Sequence, residues 1–297
     1  MTETAPHLTQ PSPGNPGPHP HPRRPRLELP PGSTDAHCHV FGPRDVFPYA
    51  AERTFTPPDA PAGQVAALHR LLGLERAVIV QSSCYGYDHA ALLDALRASP
   101  ATRRGVALIA PDAPLAALAE LDAAGVRGAR LHFLPHLGSS PELAQQATLA
   151  RVAELGWHAE IHVHGTGVID HQRMIASIDG PVVIDHLARI DLREGAEGPA
   201  VRALRSLLER GNVWLKVSGV DRVSLESAPY DDAVGLAADF VARYPDRVLW
   251  GTDYPHVNIV GDAPDDGLLV DLLERIAPTA EALQRLLVTN PAELFGF

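Results

Sequence analysis

Two histidines one residue apart, His37 and His39, stand at the end of a short run, Ser33-Thr34-Asp35-Ala36-His37-Cys38-His39-Val40. In a strand, alternate side chains share a face, so the two imidazoles point the same way, one rung apart, as a chelating pair does. The same alternation places Asp35 on their face and turns Cys38 away as a small packed residue. Far along the chain a second run ends in an acid, Val248-Leu249-Trp250-Gly251-Thr252-Asp253. Neutral imidazoles plus a carboxylate are the donors of a zinc-type site that keeps one position open for water. An early His-x-His strand and a late strand-terminal aspartate point to hydrolytic chemistry at the mouth of a β/α barrel.

The elements that must position these groups are legible as alternating strand and helix signals. Eight apolar or β-branched runs stand out: 34–40, 77–83, 106–110, 129–133, 159–164, 182–186, 213–218 and 248–253. Helical stretches lie between them. Leu115 to Ala124 closes on Gly125 and Ala203 to Arg210 closes on Gly211, both good helix stops. The strands are nearly continuous apolar runs, as when both faces are buried. The predicted fold class is α/β, a (β/α)8 TIM barrel, over residues 27–297. Barrels of this kind take about 250 residues. Long loops after the first, seventh and eighth strands would hold a substrate, because barrel chemistry sits at the C-terminal strand ends.

Residues 1–26 are rich in Pro, Gly, His and Ser and hold almost nothing that could form a core, which predicts a disordered tail. The formal net charge of -11 argues against nucleic acid and anionic membranes as partners. No run approaches the roughly 20 apolar residues of a membrane span. The start, Met1-Thr2-Glu3-Thr4, has neither a basic nor an apolar leader region. Two cysteines, Cys38 and Cys84, make no disulfide framework. The default expectation is a soluble cytoplasmic protein, with a homo-oligomer an ordinary possibility.

Strand parity then gathers the polar residues of the runs at one mouth. Strand one offers Asp35, His37 and His39, strand two Gln81 and Ser83, and strand four Arg130 and His132. Strand five offers His162 and His164, strand six His186, strand seven Lys216 and Ser218, and strand eight Asp253. Asp185 is read as facing the helix layer. Leaving such groups buried and unpaired would cost several kcal/mol each. His37, His39, His162 and Asp253 supply four donors for one divalent ion, zinc being the first choice. Gly128-Ala129-Arg130-Leu131-His132 has no lysine that could bridge a second ion, so at most one metal is expected. Ser82 and Ser83 lack the Gly-x-Ser-x-Gly elbow of serine hydrolases.

The pattern resembles the amidohydrolase superfamily, within it the amidohydrolase-related branch of lactone-hydrolysing barrels that act on pyrone dicarboxylates and sulfomuconolactones. The likeness is carried by Thr34-Asp35-Ala36-His37-Cys38-His39-Val40-Phe41-Gly42-Pro43, Val80-Gln81-Ser82-Ser83-Cys84, Gly125 to Arg130, Ile184-Asp185-His186, Lys216-Val217-Ser218-Gly219 and Asn290 to Gly296. In pyrone-dicarboxylate lactonases the His-x-His pair, the strand-six histidine and the strand-eight aspartate act without a metal. Those positions look like His37, His39, His186 and Asp253. Arg130, Arg222 and Ser83 fit places that hold substrate carboxylates. Three positions depart: a tyrosine appears as Phe55, a second arginine as His136, and the strand-five tyrosine as His162. Fewer groups remain to grip a second carboxylate, and a histidine arrives where metal-binding relatives place a ligand.

The resemblance therefore implies a hydrolase opening the ester ring of a small carboxylated or sulfonated lactone. Asp253 would be the general base and His186 a hydrogen-bonding partner of the water or carbonyl. Arg130, Arg222, Ser83 and His136 would bind the substrate. A metal-dependent decarboxylase of the same superfamily and a metal-free lactonase are the alternatives.

Overall fold

The computed structural model describes residues 15–134, 142–259 and 261–297. Eight parallel strands follow one another around a single sheet in chain order. They are β1 (Thr34–Cys38), β2 (Arg76–Val80), β3 (Arg103–Ala107), β4 (Val126–His132), β5 (His158–His162), β6 (Val182–Ile184), β7 (Val213–Lys216) and β8 (Val248–Leu249). Backbone hydrogen bonds join β1 to β8 and the segment after it. Ala36 N–H donates to Trp250 O (2.9 Å), Asp253 N–H to His37 O (2.8 Å) and His39 N–H to Tyr254 O (2.8 Å). With helices such as Ala62–Leu72, Pro199–Leu208 and Asp231–Arg243 between the strands, this is the (β/α)8 barrel that the sequence predicts. No helix of the described residues is long and apolar enough to cross a membrane.

Every expected run contains a strand, but the boundaries differ in one direction. β5 stops at His162, β6 at Ile184, β7 at Lys216 and β8 at Leu249, each short of the sequence reading. The residues beyond these ends leave the ladder and turn over the barrel mouth. β3 starts three residues earlier than its apolar run, at Arg103. That arginine is buried and satisfies itself by donating to Ala95 O at 2.7 Å, so its charge hid a strand position.

Strand alternation sorts the core into two parts. Ala77 and Ile79 of β2 join the large cluster under the helices, while Val78 and Val80 join a small cluster inside the barrel. That inner cluster also takes Ala36, Val106, Val183, Trp214 and Leu249, and Phe295 from the C-terminal helix plugs it from below. In β1 the register slips, because Asp35 pairs with Ala77 and Cys38 with Ile79. One extra residue in β1 is a β-bulge, and it reverses the face of everything before it. Asp35 therefore faces the helix layer, not the site. Its Oδ2 accepts from Thr252 Oγ1 (2.6 Å) and meets His69 Nε2 (3.0 Å), and its Oδ1 accepts from Thr252 N–H (3.0 Å). Asp35 is a clamp between β1 and the end of β8.

The expectation for residues 1–14 lies outside the described residues. From Asn15 to Arg26 the chain is laid against the barrel through polar contacts. Asn15 is buried and exchanges hydrogen bonds with Asn258, while Arg23 pairs with Asp271 at 2.8 Å. A low-apolar composition gives no sign of docking that uses only hydrogen bonds and charge.

Gly251 sits against the β1 bulge, where an added Cβ would press on the His37 backbone nitrogen and lie 2.8 Å from Asp35 Oδ1. Gly251→Ala is expected to lower stability by about 1–3 kcal/mol through overpacking. The thermal midpoint should fall by roughly 5 °C, with loss of activity from the displaced His37.

Candidate active site

Asp253 Oδ1 is the point on which the site converges. It lies 3.7 Å from His37 Nε2, 3.5 Å from His39 Nε2 and 3.7 Å from His186 Nε2. His37 and His39 leave the end of β1, and Asp253 stands in the turn after β8 with a left-handed backbone (φ 62°). That conformation is costly for a residue with a Cβ. It is held by the Asp253 N–H bond to His37 O and by the Arg222 guanidinium, whose Nε makes a short ion pair with Asp253 Oδ2.

His186 arrives by a route that strand parity did not reveal. In β6, Val183 points into the barrel and Ile184 out, so Asp185 points in. The reading of Asp185 as facing the helix layer is corrected: it is buried inside, 2.7 Å from Arg130 and 3.2 Å from Lys216. His186 still reaches the mouth because β6 has ended. His186, Leu187, Ala188 and Arg189 form a left-handed turn with φ of 48°, 52°, 55° and 46°. Ser218 Oγ fixes the His186 ring at Nδ1 (3.0 Å).

Beneath the histidines lies a buried ionic layer. Lys216 Nζ reaches Glu160 Oε2 (2.5 Å), His37 Nδ1 (2.9 Å) and Asp185 Oδ1 (3.2 Å). Arg130 reaches Asp185 Oδ2 through Nη2 (2.7 Å) and Nε (3.0 Å), and Glu160 Oε1 at 3.4 Å. Two cations and two carboxylates thus balance within the barrel. Burial alone would push the Asp185 carboxyl up, but Lys216, Arg130 and His37 together hold it well below the usual range. Glu160 shares the inward parity of His162, which was the available sequence signal for it.

Electrostatics keeps the reactive groups in definite forms. Burial pushes His186 down to about 4, against the pull of Asp253 and Asp185. Burial and then Lys216 push His37 well below the ordinary imidazole value, and burial and Arg130 do the same to His162. Burial would raise the Asp253 carboxyl, but Arg222, His186 and His39 hold it well below the usual range. His39 Nδ1 donates to Val80 O at 2.7 Å, since a carbonyl only accepts. The His39 Nε2 atom then faces Asp253 Oδ1 at 3.5 Å.

A small, partly open cavity of about 40 Å³ lies over these groups. His39, Ser83, Arg130, His162, His186, Arg189, Arg222 and Asp253 line it. A second space of about 210 Å³ shares Ser83, Arg130 and His132 as its wall. Seven of the sequence-read candidates therefore meet around one cavity that His37 underlies: His39, Ser83, Arg130, His162, His186, Arg222 and Asp253. His136 lies outside the described residues. His37, His39 and Asp253 form a close donor group, with ligand atoms all within 4.8 Å of one another. His162 is not in that group: its Nδ1 lies 3.4 Å from His132 Nδ1, and its Nε2 is buried with no hydrogen-bond partner. Arg189 was not singled out in the sequence, because it follows the strand end on an irregular turn.

Comparison with known proteins gives one consistent neighbourhood. The family model described as amidohydrolase matches residues 34–297. The chain is 42% identical to 2-pyrone-4,6-dicarboxylate hydrolase of Comamonas testosteroni, covering 92% of this chain and 93% of that protein. It is 38% identical to 4-sulfomuconolactone hydrolase of Hydrogenophaga intermedia, covering 94% of each. A solved apo structure from Agrobacterium tumefaciens superposes with a TM-score of 0.83 at 29% identity, covering 92% of this chain and 98% of that one.

The buried neutral His186 sets a pH dependence of stability. The unfolded chain takes up this proton near 6.5 and the folded chain only near 4. Between those values the unfolded state binds more protons, so stability falls as pH falls. His186 alone accounts for about 3 kcal/mol across the window. The thermal midpoint should drop on acidification from pH 7 to 4.5, and His186→Asn should flatten that drop. Parallel pH curves for the two proteins would contradict the burial argument.

Proposed function

Because the chain belongs to the amidohydrolase family, with relatives named for hydrolysing anionic lactones, we propose that it opens the ester ring of a small carboxylated or sulfonated lactone. The convergence of three imidazole Nε2 atoms on one oxygen of an ionised aspartate, under an arginine-lined cavity, carries this reading.

In the proposed reaction a water oxygen bonds to the lactone carbonyl carbon. Asp253 takes the proton that this water loses, and Arg222 keeps the carboxylate ionised until then. The ring C–O bond then breaks, and Asp253 returns the proton to the departing oxygen. His186 is fixed at Nδ1 by Ser218, which leaves its Nε2 to hydrogen-bond the water or the polarised carbonyl. Ser83, Arg130 and Arg222 border the substrate space.

The donor set suits one divalent ion. His37 Nε2 is buried with no hydrogen-bond partner, and His39 Nε2 lies 3.5 Å from Asp253 Oδ1. His37, His39 and Asp253 would hold the ion, with His162 the proposed fourth donor. Zinc-type chemistry supplies Lewis acidity there, which makes a water more acidic and a carbonyl more electrophilic. One observation favours a second, metal-free reading. The Lys216 ammonium donates to His37 Nδ1, which keeps the His37 proton on Nε2 and makes that nitrogen a hydrogen-bond donor.

A panel of carboxylated and sulfonated lactones, followed by base uptake, should yield a ring-opened acid, and Asp253→Asn should lose about 10²–10⁴ in kcat with its circular dichroism intact. A panel with no ring opening would end the lactonase reading. Elemental analysis separates the two forms of the site. About one metal per chain, lost on His162→Ala together with activity, supports the ion, while full turnover in metal-free protein supports the second reading.

A further inference from the structure

Three residues with a Cβ hold left-handed backbone in the segment after β8: Asp253 (φ 62°), His256 (φ 63°) and Asn258 (φ 55°). Such conformations persist where the surroundings over-determine them. Each of the three has its own holder. Asp253 has the Arg222 guanidinium and the carbonyl of His37. His256 meets Asp266 Oδ1 through Nε2 at 2.9 Å. Asn258 is held from the far end of the chain. Its N–H donates to Asn15 Oδ1 at 3.0 Å, and its Oδ1 accepts from Asn15 Nδ2 at 3.3 Å.

Asn15 is buried, and the segment that follows it is tied to the helix Asp266–Asp271 beyond the same loop. Arg23 N–H donates to Asp265 Oδ1 (3.0 Å) at the start of that helix. At its other end buried Asp271 accepts from the N–H groups of Arg26 (2.7 Å) and Leu27 (3.1 Å) and pairs with Arg23 (2.8 Å). Gly267 leaves no room for a Cβ against the Arg23 carbonyl. Loop, helix and N-terminal segment thus form a ring, and the contact of Asn15 with Asn258 closes it. Two hydrogen bonds add little net stability. What the ring supplies is a fixed backbone.

That backbone leads to Asp253. Val257, next to Asn258, presents its carbonyl to Arg222 Nη1 at 3.0 Å, and Nε of the same guanidinium makes the short ion pair with Asp253. His256 N–H donates to Asp253 O at 2.9 Å. Val257 and Asn258 also line the cavity. We propose that Asn15 is a positioning residue for Asp253, acting through Asn258, the Val257 carbonyl and Arg222. Its effect on turnover rests on the reading of Asp253 as the base, whereas its effect on the backbone does not.

The test compares the full chain with Asn15→Ala and Asn15→Asp, since aspartate keeps the acceptor for Asn258 N–H and loses the donor to Asn258 Oδ1. Arg24→Ala, at an exposed position of the same segment, is the control. Residue-resolved hydrogen exchange reads the amides of Asp253 and His256, neither of which hydrogen-bonds to Asn15. In Asn15→Ala both should exchange about tenfold faster, while the amides of β4 stay as in wild type. Asn15→Asp should fall between, and Arg24→Ala should match wild type. With a turned-over lactone, Asn15→Ala should lower kcat about tenfold and leave KM within about twofold, the mark of a displaced base and not of a lost substrate contact. Melting curves establish that each variant is folded, and Asn15→Asp carries the comparison if the alanine variant is not. Unchanged exchange at Asp253 and His256 in a folded variant, or equal acceleration in Arg24→Ala, overturns the assignment. Faster exchange with kcat unchanged overturns it too. Faster exchange with no lactone turned over would retain the positioning role and discard the lactonase reading.

Discussion

The ammonium of Lys216 is the contact on which the site depends. It is fully buried and touches Glu160, Asp185 and the Nδ1 of His37 at once. An ionic cluster in a barrel interior is weak support for stability, since apolar residues of similar volume often do as well. What it supplies here is orientation. His37 cannot rotate without leaving a cation short of an acceptor in a place that water does not reach. The first member of the His-x-His pair is thereby fixed from below, and Arg130 shares the same two carboxylates from the other side.

This ordering gives the barrel three tiers with separate duties. The lowest is apolar, closed by Phe295 against Trp214 and the inward valines. The middle tier is charged and self-compensated. The upper tier carries the neutral imidazoles of His37 and His186 beside one ionised carboxylate, Asp253. Neutral histidines serve either form of the site: as ligands they need a free lone pair, and as hydrogen-bond donors to a water or carbonyl they need a fixed tautomer. The middle tier chooses between those forms at His37, which makes Lys216 as informative about the chemistry as the residues that face the substrate.

Much of this was legible in the sequence, for definite reasons. Eight apolar runs with helical stretches between them specify a parallel barrel, because βαβ crossovers bury both faces of every strand. His37, His39 and Asp253 stood out because period-two spacing and strand ends are local signals. What was hidden was hidden by departures from regular geometry. A single bulge in β1 turned Asp35 to the helices and left His37 and His39 inside. The early end of β6 let both Asp185 and His186 enter the interior, where strict alternation allows only one of two neighbours. The charged start of β3 and the polar docking of Asn15 to Arg26 lacked any apolar pattern to announce them.

The pairing of the arginines adds to what the sequence offers. Strand position makes Arg130 a candidate and the family resemblance makes Arg222 one, and both line the cavity. In the folded chain each answers a carboxylate that the chain itself brings inside: Asp185 through the end of β6, and Asp253 through the left-handed turn after β8. Asp253 reaches its position by a left-handed conformation that costs energy in a residue with a Cβ, whereas Asp185 keeps extended backbone. A left-handed turn after β6 likewise carries His186 and Arg189 to the cavity wall. Strain in the turn after β8 and an early end to β6 therefore draw the two acids inward, where each engages one of the cations.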